Sequence, residues 1–74
     1  STVGNELYPE EPRVWSDGNI LYIRLVKPEQ VSVYTTNGQL VLHQKMNGNN
    51  EVSLSSGIYF VRIGDQETKK VAIY

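Results

Sequence analysis

His43 is the only histidine of the chain, and it stands in the run LVLHQK with no cysteine anywhere to join it. A zinc centre takes three or four converging nitrogen, sulfur or carboxylate ligands, so a lone histidine reads as a solvated strand residue. Acid–base chemistry needs two carboxylates held at a set separation in a cleft where burial shifts their pKa values. The eight acids are Glu6, Glu10, Glu11, Asp17, Glu29, Glu51, Asp65 and Glu67. Nearly all fall at turns or in the first twelve residues, where carboxylates are ordinary. Ser53, Ser55 and Ser56 cluster with no base beside them to accept a proton, and Ser55-Ser56 ahead of Gly57 reads as a turn. Gly48 and Gly57 stand alone among polar residues, so no phosphate-cradling loop is spelled out. The asparagines of NGNN (47–50) could offer oxygens to calcium, but in a spacing that matches no calcium loop. The chain reads as no enzyme, with no cofactor and no metal.

Recognition is the chemistry that remains. Lys69 and Lys70 lead directly into alternating apolar residues, and Tyr22, Phe60 and Tyr74 fall on the faces that alternation turns outward, beside Ile20 and Ile58. If those faces meet in one sheet they form an exposed apolar patch, a mark of a partner or sugar platform. The plainer reading is that such a patch covers a neighbouring domain of a parent protein. Trp15 is expected to plug one end of the core.

The elements that must position these residues are strands. No stretch repeats apolar residues at i, i+3, i+4 and i+7 over a dozen positions without an interrupting glycine, proline or asparagine cluster. Alternation is frequent instead. RVWS (13–16) meets a hairpin signal at Asp17-Gly18. NILYIRLV (19–26) sets Leu21, Ile23 and Leu25 on one face and Ile20, Tyr22 and Arg24 on the other, until Pro28 breaks the run. QVSVYT (30–35), with Val31 and Val33 on one face, and QLVLHQK (39–45) flank Asn37-Gly38, a strong hairpin dipeptide. After a loop, MNGNN, come EVSLS (51–55), GIYFVRI (57–63) and TKKVAIY (68–74), with Val52 and Leu54, then Tyr59, Val61 and Ile63, then Val71 and Ile73 inward. Short strands rich in valine, isoleucine and tyrosine, spaced by turn signals, predict an all-β domain. The expected form is a compact, immunoglobulin-like β-sandwich of about seven antiparallel strands, with a small barrel as the alternative.

Seventy-four residues hold one small domain, which buries only about 60% of its unfolded surface. The net charge of −1, with both signs interspersed, argues against a nucleic-acid groove or a polybasic membrane anchor. No apolar run reaches the ~20 residues of a membrane span, and no signal peptide opens the chain. STVGNELYPEEP (1–12) has linker composition, so the expected division is a linker from a parent protein over 1–12 and a domain over 13–74.

From Ile23 onward the order of motifs resembles the C-terminal sorting domains of cargo for the type IX (Por) secretion system of Bacteroidetes. VSVYTTNGQLV (31–41) is similar to that family's strand–turn–strand, LSSGIYFVRI (54–63) to its leucine, small linker and glycine-x-tyrosine-x-valine, and TKKVAIY (68–74) to its lysine-led closing strand. Together the stretches span about two-thirds of the chain. Where the family often opens on YPNP, this chain has Tyr8-Pro9 followed by EEPRVW. The resemblance implies a non-catalytic label on a larger cargo protein. Such a label crosses the periplasm with its cargo, is recognised by outer-membrane secretion machinery, and delivers the cargo to the cell surface or the medium. It also implies cutting by a surface sortase-like peptidase within the linker. Gly57, Tyr59, Lys69, Lys70, Val71 and Ile73 are the residues carried over for recognition, with Gly38 and Gly57 shaping turns and Tyr59 seated in the core with its hydroxyl bonded at the edge. Tyr74 is expected to close the parent protein, leaving its last strand edge, open to strand addition, or the terminal carboxylate where a receptor can reach it. Two rival expectations stand beside it. One is an accessory module that binds glycan through Tyr22 and Phe60; the other is a cap that braces a neighbouring domain. Membrane insertion is not expected, and a dimer through an edge or face is permitted.

Overall fold

The computed structural model describes residues 11–74, so most of the proposed linker lies outside the described residues; Pro12, at its end, is buried. Seven strands follow: β1 (Arg13–Asp17), β2 (Ile20–Arg24), β3 (Glu29–Thr35), β4 (Leu40–Met46), β5 (Asn49–Ser53), β6 (Gly57–Ile63) and β7 (Lys69–Ile73). They form an antiparallel three-stranded sheet, β1-β2-β5, and an antiparallel four-stranded sheet, β4-β3-β6-β7. The molecule is an all-β sandwich. No helix of the described residues is long and apolar enough to cross a membrane.

Alternation explains the core. Leu21 and Ile23 of β2, Val31 and Val33 of β3, Tyr59, Val61 and Ile63 of β6, and Val71 and Ile73 of β7 all turn inward and are buried. Leu25 and Met46 join them, with Val14, Leu42, Val52 and Leu54 packed on the rim. Fully burying each large aliphatic side chain contributes about 1.5–3 kcal/mol. These residues hold two sheets that have no disulfide to brace them.

The barrel does not form. Closing one would require β1 and β7 to pair, and they are instead the facing edges of different sheets. At the opposite side the chain steps from β4 to β5 through Asn47 and Gly48 alone. The expected five-residue loop MNGNN therefore shrinks, because Met46 is drawn into the core and Asn49 and Asn50 pair with Arg24 and Ile23.

The turns also differ from the dipeptide reading. Asp17 pairs with Ile20, so the first hairpin turns on Gly18-Asn19, with Gly18 at φ +62°, as at the first central residue of a type II′ turn. Thr35 and Gln39 close the second, and Gly38 alone takes positive φ, at +89°. Gly38 N–H donates to the Thr35 carbonyl, the pattern of a type I turn followed by a left-handed residue. A register shift after Val33 sets Tyr34 opposite Leu40 and leaves Val41 without a direct partner.

Gly57 opens β6 at φ +150°, and a Cβ there would meet only the Tyr59 ring at an ordinary 3.8 Å. Substitution therefore costs backbone strain rather than a clash, about 1–3 kcal/mol. Gly57→Ala is expected to lower the urea midpoint at unchanged m-value; an unchanged midpoint would refute the strain.

Candidate functional site: the β7 ribbon and its edge

β7 is an edge strand. Its inner neighbour is β6, with Gly57 opposite Ile73, Ile58 opposite Ala72, Tyr59 opposite Val71, Phe60 opposite Lys70 and Val61 opposite Lys69. Val71 and Ile73 sink into the core, whereas Lys69 and Lys70 are exposed. The strand is thus anchored by its second half and displayed by its first.

The other side of β7 faces β1. Ser16 Oγ donates to the Ala72 carbonyl at 2.7 Å, and Tyr74 N–H donates to the Gly18 carbonyl at 2.9 Å. Ser16 lies by Ala72 and Gly18 by Tyr74, so the two strands run parallel along this seam. Neither bond reaches Lys69 or Lys70. Successive residues of a strand turn their backbone polar groups to opposite sides, so the seam occupies the outer groups of Ala72 and Tyr74 and leaves the lysine end unlatched. The Tyr74 side chain is 84% exposed, while Ser56 Oγ donates to its carbonyl at 3.0 Å. The ribbon is thus paired along β6 on one side and latched to Ser16 and Gly18 on the other.

Tyr59 is buried, and its hydroxyl donates to the Ser55 carbonyl at 2.8 Å. That bond satisfies a phenol at the sandwich rim and ties the β5–β6 connection to the strand that carries β7. Gly57, at the opposite end of the same turn, shapes backbone. Of the residues singled out for recognition, Lys69 and Lys70 alone offer side chains to a partner; Tyr59, Val71 and Ile73 are turned into the core.

The aromatic residues are placed differently from expectation. Tyr22 belongs to the three-stranded sheet and Phe60 to the four-stranded one. Both turn outward, so they occupy opposite outer faces of the sandwich and form no common patch. Tyr74 lies one residue beyond the end of β7 and is exposed. Trp15 is no core plug: it is 43% exposed and stacks on Tyr22 with ring centroids 5.4 Å apart and planes at 12°. The signal for this was in the sequence, since Trp15 shares its face of β1 with Arg13 and Asp17, and Val14 takes the inward position.

His43 is exposed opposite Ser32, with Nδ1 2.9 Å from the Ser32 Oγ, and Leu42 packs on the rim of the core. Among the described residues no group of three or more histidine, cysteine or acidic side chains could hold a metal ion.

No curated protein matches the chain. Residues 17–73 match the family described as the secretion system C-terminal sorting domain. That span runs from the end of β1 through the last residue of β7 and takes in every turn described above. Covering well over half of the sequence, the match shows that this chain belongs to the C-terminal sorting domains, the non-catalytic signals carried by type IX secretion cargo.

Proposed function

We propose that the secretion machinery reads the lysine-led end of β7, presented as an open edge on a strand whose other half is locked into the core. The observation that carries this reading is the division within β7: Lys69 and Lys70 exposed, Val71 and Ile73 buried. An exposed edge accepts a partner strand, with main-chain bonds supplying affinity and side chains supplying selection. The two lysines also deter promiscuous edge pairing while the domain is in transit. A reader approaching from the Ala72 end would have to break the Ser16 and Gly18 bonds first, which favours entry from the Lys69 end.

Attachment to an upstream cargo and export to the surface or the medium follow from the family. Beyond that, residues 13–74 act as the signal and 1–12 as the linker, the cargo passes through the periplasm, and a sortase-like peptidase cuts within the linker. The test is to fuse the 74-residue chain behind a periplasmic reporter in a host with a working type IX system. Surface delivery and loss of the domain from the mature reporter are expected. Reporter retained in the periplasm with the domain folded would overturn the reading.

A further inference from the structure

The outer face of the three-stranded sheet carries a second feature, apart from the β7 edge. Cross-strand register sets Arg13, Arg24 and Asn49 in one row and Trp15, Tyr22 and Glu51 in the next. A groove of roughly 250 Å³ opens there, walled by Trp15, Tyr22, Arg24, Asn49 and Glu51. Ile23 and Asn50, whose side chains turn inward, supply its backbone floor.

We propose that this groove binds one uronic-acid residue of an acidic polysaccharide. The Trp15–Tyr22 stack presents a rigid apolar wall that costs little entropy to hold, suited to the C–H face of a pyranose. Asn49 offers both a donor and acceptors, and Glu51 acceptors, to ring hydroxyls. One arginine and one carboxylate, Arg24 and Glu51, line the groove, and the Arg24 side is where an acidic group of the ligand goes. Arg13 and Arg24 are directly opposed across β1 and β2, an arrangement unfavourable for like charges that an anion held at Arg24 in the groove relieves. The Arg13 guanidinium also lies 5.7 Å from the centre of the Trp15 ring, a cation–π contact that keeps it over the aromatic wall. Arg24 forms a wall of the groove, where its guanidinium can take a carboxylate in a two-bond fork.

Size limits the ligand. The volume lies below the roughly 300 Å³ at which drug-sized pockets begin, so one sugar unit fits and its neighbours run out over the sheet. At ordinary ligand efficiency a single unit of about 13 heavy atoms gives a Kd of about 1 mM. Such a contact becomes useful by repetition along a polymer.

The test is an NMR titration of the 74-residue protein with methyl β-glucuronide, methyl β-glucoside and phosphatidylglycerol vesicles in parallel. Glucuronide is expected to shift the Trp15 indole, Tyr22 and Asn49 resonances with a Kd of about 1 mM. Arg24→Gln is expected to weaken glucuronide about tenfold and leave the weaker glucoside binding unchanged. Tyr22→Ala, at an outward site, is expected to abolish both while the core methyl resonances stay in place. Equal affinity for the two sugars, shifts centred on Phe60, or a response to the vesicles alone would overturn the proposal. So would Trp15 shifts that follow protein concentration instead of sugar, which would assign the face to a second copy of the chain. None of these readouts depends on export, so failure here leaves the sorting role untouched.

Discussion

Deleting Lys69–Tyr74 from a cargo that carries this domain is expected to abolish export and to unfold the domain at the same time. Val71 and Ile73 both leave the core, and each such loss removes about 1.5–3 kcal/mol of burial. The ladder to β6 and the bonds to Ser16 and Gly18 go with them. A domain of this length has a total stability of only about 4–11 kcal/mol, at 0.05–0.15 kcal/mol per residue, so the deletion removes much of it. It also leaves β6, with Tyr59, Val61 and Ile63, as a new apolar edge open to aggregation. Circular dichroism of the truncated domain should show loss of the cooperative transition, and surface labelling of the cargo should fall to background. Truncated cargo that still reached the surface would show that the signal does not need β7 at all.

That deletion cannot separate a missing signal from a missing fold; reversing the charge of the lysine pair can. Lys69→Glu with Lys70→Glu changes two exposed side chains, and surface substitutions away from special features move stability by about 0.5 kcal/mol or less. The melting temperature is therefore expected to hold while export falls tenfold or more. Restoring charge as Lys69→Arg with Lys70→Arg should recover most of the export if charge on the open edge is what is read. Unchanged export of the glutamate variant would refute the lysine-led reading. It would leave the backbone edge itself as the recognised feature, and Ser16 of β1 and Gly18 of the following turn as the groups that regulate access to it.

Where a strand's two faces differ in polarity, this chain could be read residue by residue. Alternation marks Leu21 and Ile23, Val31 and Val33, Tyr59, Val61 and Ile63, and Val71 and Ile73 as inward, and all are buried. It works because a strand's side chains point to opposite faces with period two, and only one face of each sheet meets the other. The hydroxyl of Tyr59 was foreseeable for the same reason, since a phenol at the rim of a core needs an acceptor. Trp15 departs from the expectation its size suggests, since a large aromatic in a small domain invites the core yet it is exposed. Its neighbours in β1 carried the better signal, with Val14 as the inward residue and Arg13 and Asp17 sharing the face of Trp15. Hairpin dipeptides located the turns to within a residue. They could not say which residue would take positive φ, because strand register decides that, and register is settled by the packed face.

By itself, the sequence determined the strands, their inward residues, the absence of cysteine chemistry and the order of motifs that the sorting family shares. Those properties are local: each depends on residue type and on neighbours a few positions away. Only the tertiary structure decided which strands became edges. It placed β1 alongside β7 so that Ser16 and Gly18 latch one half of the ribbon, separated Tyr22 from Phe60 onto opposite faces, and brought Trp15, Tyr22, Arg24 and Glu51 around one groove. These are relations between residues up to 56 positions apart. They arise when two sheets bury a common core, and no period along the chain encodes which strand will lie beside which.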